Sequence, residues 1–382
     1  MLLTKTAAGI ALLAGLVAAH PGHSVAQEAA ERRAYLQDAK RTSLAHCADK
    51  LRARGVAARN AARREAVVQN ARQKRGLLEK KKKKRDLDDV LATSHNMTEE
   101  GYSRDTDPAT LFAGYHSCVL TPEVTQGPYY VAGEYVRENV VEDQPGVPLL
   151  LDYQVIDVAT CEPVPNVYLE MWHCNATGVY GGVVARGNGN AADTGNLDKT
   201  FLRGIQPTDA DGVAQFESVF PGHYTGRAPH IHVMAHANAT LQANGTLGRD
   251  NYASHVGQAF FDQALIAAVE KTAPYSTNAQ PLTANADDGI LAQEAATTTD
   301  GVDPVMEYTL LGDSVEDGLF AWLAFGIDSS RSEAVIPAVY YYKEGGVANE
   351  DSPGGGGPGG FPSGGPGADG PTGSAPGAAP TN

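Results

Sequence analysis

Residues 209–234 read DADGVAQFESVFPGHYTGRAPHIHVM, and the folding pattern of the chain is clearest in this stretch. The turn-forming quartet Asp209-Ala210-Asp211-Gly212 gives way to Val213–Phe220, whose β-branched and aromatic residues predict a strand. Pro221-Gly222 then turns the chain, and a second strand is expected over His230–Met234. Alternate side chains of a strand share a face, so His230 and His232 project together while Ile231 points into a core.

The same texture extends in both directions. Strands are expected over Leu149–Val158, Val167–Trp172, Gln258–Phe261, Val305–Leu311, Leu319–Phe325 and Val335–Tyr342, with a short helix at Leu265–Val269. Short apolar runs separated by Gly, Pro, Asn and Asp predict a mainly β domain, sandwich or barrel, over residues 117–345. Residues 346–382 are Gly/Pro-rich, too poor in apolar groups to fold, and are expected to form a disordered tail without a lipid-anchor signal. With 382 residues, 42% of them hydrophobic, the chain suffices for one large β domain with appendages.

Residues 1–19 have the form of a secretory signal: Lys5, an apolar core from Ala7 to Leu16, and the small residues Val17-Ala18-Ala19. The core is too short for a good membrane span, and no other stretch would cross a bilayer, so a secreted, extracellular protein is expected. Four sequons, at Asn96, Asn175, Asn238 and Asn244, agree with glycosylation on that route. An oxidising compartment also favours disulfides among Cys47, Cys118, Cys161 and Cys174. Cys161 and Cys174 flank one strand-like stretch and form the favoured pair, leaving Cys47 with Cys118.

The net charge of −15 conceals a division: residues 28–85 carry 19 Lys and Arg against 6 Asp and Glu, whereas the chain from Asp86 onward carries 10 against 39. The basic segment, residues 20–85, predicts helix from Glu28 to Leu78 with a break near Gly55, followed by a linker over 86–116. It has one aromatic residue, Tyr35, and no groove-reading motif, which argues against a nucleic-acid partner. Lys84-Arg85 resembles a dibasic processing site, so the segment reads either as a removable pro-segment or as an arm that neutralises part of the acidic body. It also offers a surface for homodimerisation.

Two imidazoles on one strand suit a first-row transition metal, although such pairs also occur on solvated strand faces. Tyr224 lies six residues upstream of His230, and Tyr180 follows the Trp172–Val179 stretch. A phenolate is a hard anionic donor that favours Fe(III), whereas zinc more often receives His, Cys or carboxylate. Read singly, each tyrosine is also compatible with an ordinary half-buried β residue. A different candidate metal site, for copper, is the His20-Pro21-Gly22-His23 stretch that cleavage after Ala19 would expose.

Three blocks together resemble the intradiol ring-cleavage dioxygenases, closest to secreted fungal members: Gln126-Gly127-Pro128-Tyr129-Tyr130, Glu170-Met171-Trp172 through Gly178-Val179-Tyr180, and Pro221-Gly222-His223-Tyr224 through Arg227-Ala228-Pro229-His230-Ile231-His232. The resemblance implies a β-sandwich holding one mononuclear non-haem Fe(III), with a small aromatic diol and O2 as reactants. It implies that Tyr180, His230 and His232 stay on the metal while Tyr224 yields to substrate. It further implies that Arg227 stands beside the bound diol, with Gln258 nearby. The loops 181–199 and 237–254 are expected at the pocket mouth. Plain catechols, hydroxyhydroquinone and lignin-derived phenols all remain open as substrates, as does a non-catalytic, cell-surface sandwich that kept the iron site.

Overall fold

The computed structural model describes residues 44–77, 96, 117–119 and 127–352, apart from 186, 191, 238, 249–251, 254 and 297–303. The expected signal, the His20–His23 copper site, the Lys84-Arg85 processing site, most of the linker and the tail beyond Ser352 lie outside these residues. No helix among the described residues is long and apolar enough to cross a membrane.

The chain forms helices α1 (Ala48–Ala53) and α2 (Val56–Lys74), then strands β1 (Ser117–Val119), β2 (Val131–Ala132), β3 (Pro148–Asp157), β4 (Tyr168–Trp172), β5 (Arg203–Pro207), β6 (Val213–Val219), β7 (His230–His236), β8 (Tyr252–Ala253) and β9 (His255–Phe260). Helices α3 (Gln263–Val269) and α4 (Gly289–Ala296) follow, and strands β10 (Glu307–Leu310), β11 (Leu319–Ile327), β12 (Glu333–Ala334), β13 (Val339–Tyr342) and β14 (Gly345–Ala348) complete it. The fold is mainly β. One large sheet runs β1-β11-β3-β6 with β10 also on β11, a second runs β5-β4-β7-β9, and two small sheets are formed by β14-β13-β2 and by β12-β8.

The two large sheets pack face to face. Leu149, Leu151, Tyr153 and Val155 of β3 meet Leu169 and Met171 of β4 and Ile231, Val233 and Ala235 of β7 in one core. Each large apolar side chain taken wholly out of water there contributes roughly 1.5–3 kcal/mol. The period of two then assigns the remaining residues to the outer faces. On β7 these are His230, His232, Met234 and His236, and on β4 they are Tyr168, Glu170 and Trp172.

The opposite outer face, on β3 and β11, is covered by α2. Gly55 adopts φ 68° at the expected helix break, which a residue without Cβ tolerates. Val68 and Ala71 then pack on Leu311, Phe320 and Trp322, while Arg64 lies over the Trp322 ring. Asp152 accepts from Arg63 Nε (3.0 Å), Arg64 Nε (3.0 Å) and Gln215 Nε2 (2.8 Å). Burial alone would raise this carboxyl, but Arg64 and Arg63 bring it down to about 2. The described part of the basic segment, residues 44–77, thus packs on the acidic body as an arm.

Cys47 is bonded to Cys161, with Cα atoms 5.1 Å apart, so neither expected disulfide pair forms. Cys161 sits in the turn after β3 and packs with Leu44, Leu51 and Val56 of the arm. Cys174 is a free, buried thiol in a separate cluster with Tyr129, Tyr180 and Tyr224. Bracketing β4 in sequence therefore did not bring the two cysteines together. The expected tail boundary also moves, because β14 carries the sheet through Gly345 to Ala348 by pairing with β13.

Candidate metal centre

The site lies on the outer face of the β5-β4-β7-β9 sheet. His230 and His232 turn their Nε2 atoms toward each other at 3.1 Å. Two nitrogen lone pairs this close repel unless a proton or cation lies between them, and adjacent donors each about 2.1 Å from one ion are separated by a similar distance. His230 Nδ1 lies 2.6 Å from the Ala228 carbonyl and donates to it, which leaves Nε2 as the metal-binding lone pair. Trp172, the register partner of His232, stacks on that imidazole at 4.8 Å and 3°.

Tyr224 is delivered by the Pro221-Gly222 turn. A Cβ at Gly222 would meet the carbonyl oxygens of Asn175 and Ala176 at 2.5 Å, so the turn closes only on glycine. The Tyr224 hydroxyl then stands 3.4 Å from His230 Nε2. Tyr180 follows Gly178, whose φ of 79° and close contact with the His223 carbonyl likewise require glycine. Its amide donates to Asn188 Oδ1 (2.7 Å), while its carbonyl accepts from Asn188 Nδ2 (3.0 Å) and Asn196 Nδ2 (2.6 Å). Two buried asparagines of the loop 181–199, Asn188 and Asn196, thus grip the Tyr180 backbone.

Tyr129, from the Gln126–Tyr130 block, stacks on Tyr180 at 4.4 Å and meets the Tyr224 ring edge-on at 5.7 Å. Burial pushes all three phenols upward from the ordinary tyrosine value, with Arg227 partly opposing this. Phenolates are therefore disfavoured here without a strongly charged cation. The Tyr129 and Tyr180 hydroxyls, Trp172 Nε1 and Gln258 Nε2 are all buried without a hydrogen-bond partner. Buried polar atoms are normally satisfied, so this cluster fits residues arranged around a bound group. Two phenols and two imidazoles form a donor set suited to a hard, oxidised first-row ion.

Arg227 is 1% exposed beside these donors. Its Nε donates to Asp288 Oδ2 (2.9 Å) and its Nη2 to Gln258 Oε1 (2.5 Å). Burial alone would lower the guanidinium pKa, but Asp288 raises it, so the cation is maintained. Gln258 is the register partner of His232 across β7 and β9, which explains how a residue so distant in sequence reaches the site.

All six expected site residues, Tyr180, Tyr224, Arg227, His230, His232 and Gln258, therefore gather on one face. Sequence reading missed Asp288, Asn188 and Asn196. Asp288 had a usable signal: Asp-Asp-Gly before the apolar Ile290-Leu291 is a helix N-cap pattern. His46 also approaches Cys47 Sγ at 3.3 Å, but the disulfide occupies both sulfurs of that trio, which therefore offers no thiolate for a metal. Among the sequons, Asn244 is exposed, whereas Asn175 donates from Nδ2 to Gln144 (3.0 Å) and caps its own turn. Asn96 is half-buried and Asn238 lies outside the described residues.

Residues 125–244 match the protein-family profile described as Dioxygenase, a span that contains both tyrosines, both histidines and Arg227. The chain is 31% identical over 142 residues to catechol 1,2-dioxygenase 1 of Acinetobacter lwoffii, covering 36% of this chain and 40% of that protein. It is 26% identical over 211 residues to catechol 1,2-dioxygenase of Acinetobacter baylyi, covering 48% and 64%. The chain thus spans less than two thirds of either curated relative. Among solved structures, the intradiol ring-cleavage dioxygenase of Tetranychus urticae is 30% identical, with 56% of this chain and 96% of that chain covered and a TM-score of 0.44. The kinship is carried by the sequence matches, not by superposition. With the three motif blocks brought to one face and the profile match spanning them, the chain belongs to the intradiol ring-cleavage dioxygenases.

Proposed function

We propose that this protein is an exported, Fe(III)-dependent dioxygenase that opens catechol-type rings between the two hydroxylated carbons to give muconate-type diacids. The observation that carries the reading is the convergence of the two imidazole Nε2 atoms, 3.1 Å apart, with the Tyr224 hydroxyl at 3.4 Å and the orphaned Tyr180 hydroxyl beside them. Tyr180, Tyr224, His230 and His232 would hold one iron. When bound, ferric iron supplies the Lewis acidity that ionises the diol and activates it toward dioxygen.

The protein's own groups divide the remaining work. Tyr180 is clamped through its backbone and stays in place, as do the strand-borne histidines. Tyr224 comes from a turn, and its phenol oxygen would be placed to accept one diol proton. Its buried setting favours the neutral phenol. Arg227 faces the diol and stabilises negative charge developing on the ring, held by Asp288 and Gln258. Burial of the site excludes bulk water and strengthens these interactions. Both atoms of dioxygen enter the diacid, so no reductant is consumed. The buried Cys47–Cys161 bond supports an oxidising compartment.

The test is purification of the full chain with iron. The expected sample is reddish from tyrosinate-to-iron charge transfer, its band shifts with catechol, and oxygen uptake accompanies formation of a diacid. A colourless iron-loaded sample would overturn the tyrosinate site. Colour without oxygen uptake on plain catechol, hydroxyhydroquinone or lignin-derived phenols would instead leave a non-catalytic iron protein.

A further inference from the structure

Asp288 is fully buried and uses both carboxylate oxygens at once. Oδ2 accepts from Arg227 Nε at 2.9 Å and from the Ala228 amide at 2.8 Å. Oδ1 accepts from the amides of Ile290 and Leu291, both at 2.9 Å, and so caps the first turn of α4. Ala228, whose amide donates to Asp288, also accepts from His230 Nδ1 at its carbonyl. One carboxylate thus orients the site cation directly and a candidate metal-binding imidazole through the main chain of one residue, Ala228.

We propose that Asp288 is the positioning residue of the ring-opening site, setting the direction of Arg227 toward the bound diol and fixing the His230 ring through Ala228. This rests on the functional reading above. A residue that served only to start α4 would need none of the bonds through Oδ2. Its charge would also be unnecessary, because asparagine caps helices about as well as aspartate.

Asp288→Asn separates the two roles. The amide oxygen still caps α4, but the amide nitrogen is a donor and cannot accept from Arg227 or Ala228. On the iron-loaded full chain, D288N should keep wild-type iron content and amide-exchange protection at 290–291. Turnover should fall about 10- to 100-fold. The dissociation constant for 4-nitrocatechol, read from the shift of the charge-transfer band, should rise several-fold. In an Arg227→Ala background the same change should cost several-fold less than in the wild type, because only the bond to the Ala228 amide is left for Asp288 to act through.

Equal effects of D288N in both backgrounds would overturn the proposal, as would wild-type turnover and nitrocatechol affinity in D288N. If D288N fails to fold, Asp288→Glu carries the same cycle: it keeps the charge but displaces it, and additivity with Arg227→Ala would again reject the positioning role. The nitrocatechol titration needs no turnover. A wild-type protein that binds the probe but opens no ring would therefore overturn the enzymatic reading alone, while the cycle on binding still decides the role of Asp288.

Discussion

Trp172 and His232 stand opposite one another on β4 and β7, with their rings 3° from parallel and 4.8 Å between centroids. The indole plane blocks rotation of the imidazole, so the direction of Nε2 is set before any ion arrives. Trp172→Leu keeps an apolar side chain but removes that plane. Iron should then be lost to a competing chelator at roughly tenfold lower chelator concentration or less, with the chain still folded. Unchanged iron retention would show that stacking does not orient the donor.

Tyr180 depends on Asn188 at both its amide and its carbonyl. Asn188→Ala leaves the buried amide unpaired, at a cost of about 1–3 kcal/mol. The melting temperature should drop and the charge-transfer band of the iron-loaded protein should weaken or move. A lower melting temperature with an unaltered band would make the clamp a matter of folding only.

The pH response of the arm follows from Asp152, at about 2 in the folded chain against about 3.9 for a free aspartate. A carboxyl depressed by folding contributes its stability fully above the unfolded value and loses it as pH falls toward the folded value. The Asp152→Asn variant lacks this response. It should be about 3 kcal/mol less stable than wild type at neutral pH, because it leaves buried Arg64 uncompensated. The gap should narrow by about 2 kcal/mol between pH 4 and pH 2. Denaturant melts across that window check both sign and size, and a gap independent of pH would refute the assignment.

Cys47 and Cys161 close a separation of 114 residues. A cross-link of that span stabilises by about 4–5 kcal/mol through the unfolded chain. Limited proteolysis at the basic run Lys80–Arg85 should therefore leave the arm on the body in non-reducing denaturing electrophoresis and separate it only after reduction. Separation without reductant would contradict the bond.

The local features were legible because their physics is local. Strand β7 declares itself by alternation, and the expected strands over Leu149–Val158 and Leu319–Phe325 fall on β3 and β11. Strand β5 was not foreseen because Arg203-Gly204-Ile205 shows no such alternation. Arg203 is buried because it donates to the carbonyls of Gly181 (2.8 Å) and Tyr129 (2.6 Å), partners that only the folded chain brings near. The disulfide pairing failed for the same reason. Which cysteine meets which is decided by arm docking, a contact between distant segments with no periodic signature.

The placement of the arm has one further consequence. α2 lies on one outer surface of the sandwich and the candidate metal donors lie on the other, with the whole apolar layer between them. The layer of about 10 Å between sheets insulates the donors from whatever is attached to the arm. A dye, a tag or a solid support coupled to the solvent side of α2 would leave the donor surface facing outward, so the arm is a natural handle for immobilising the protein.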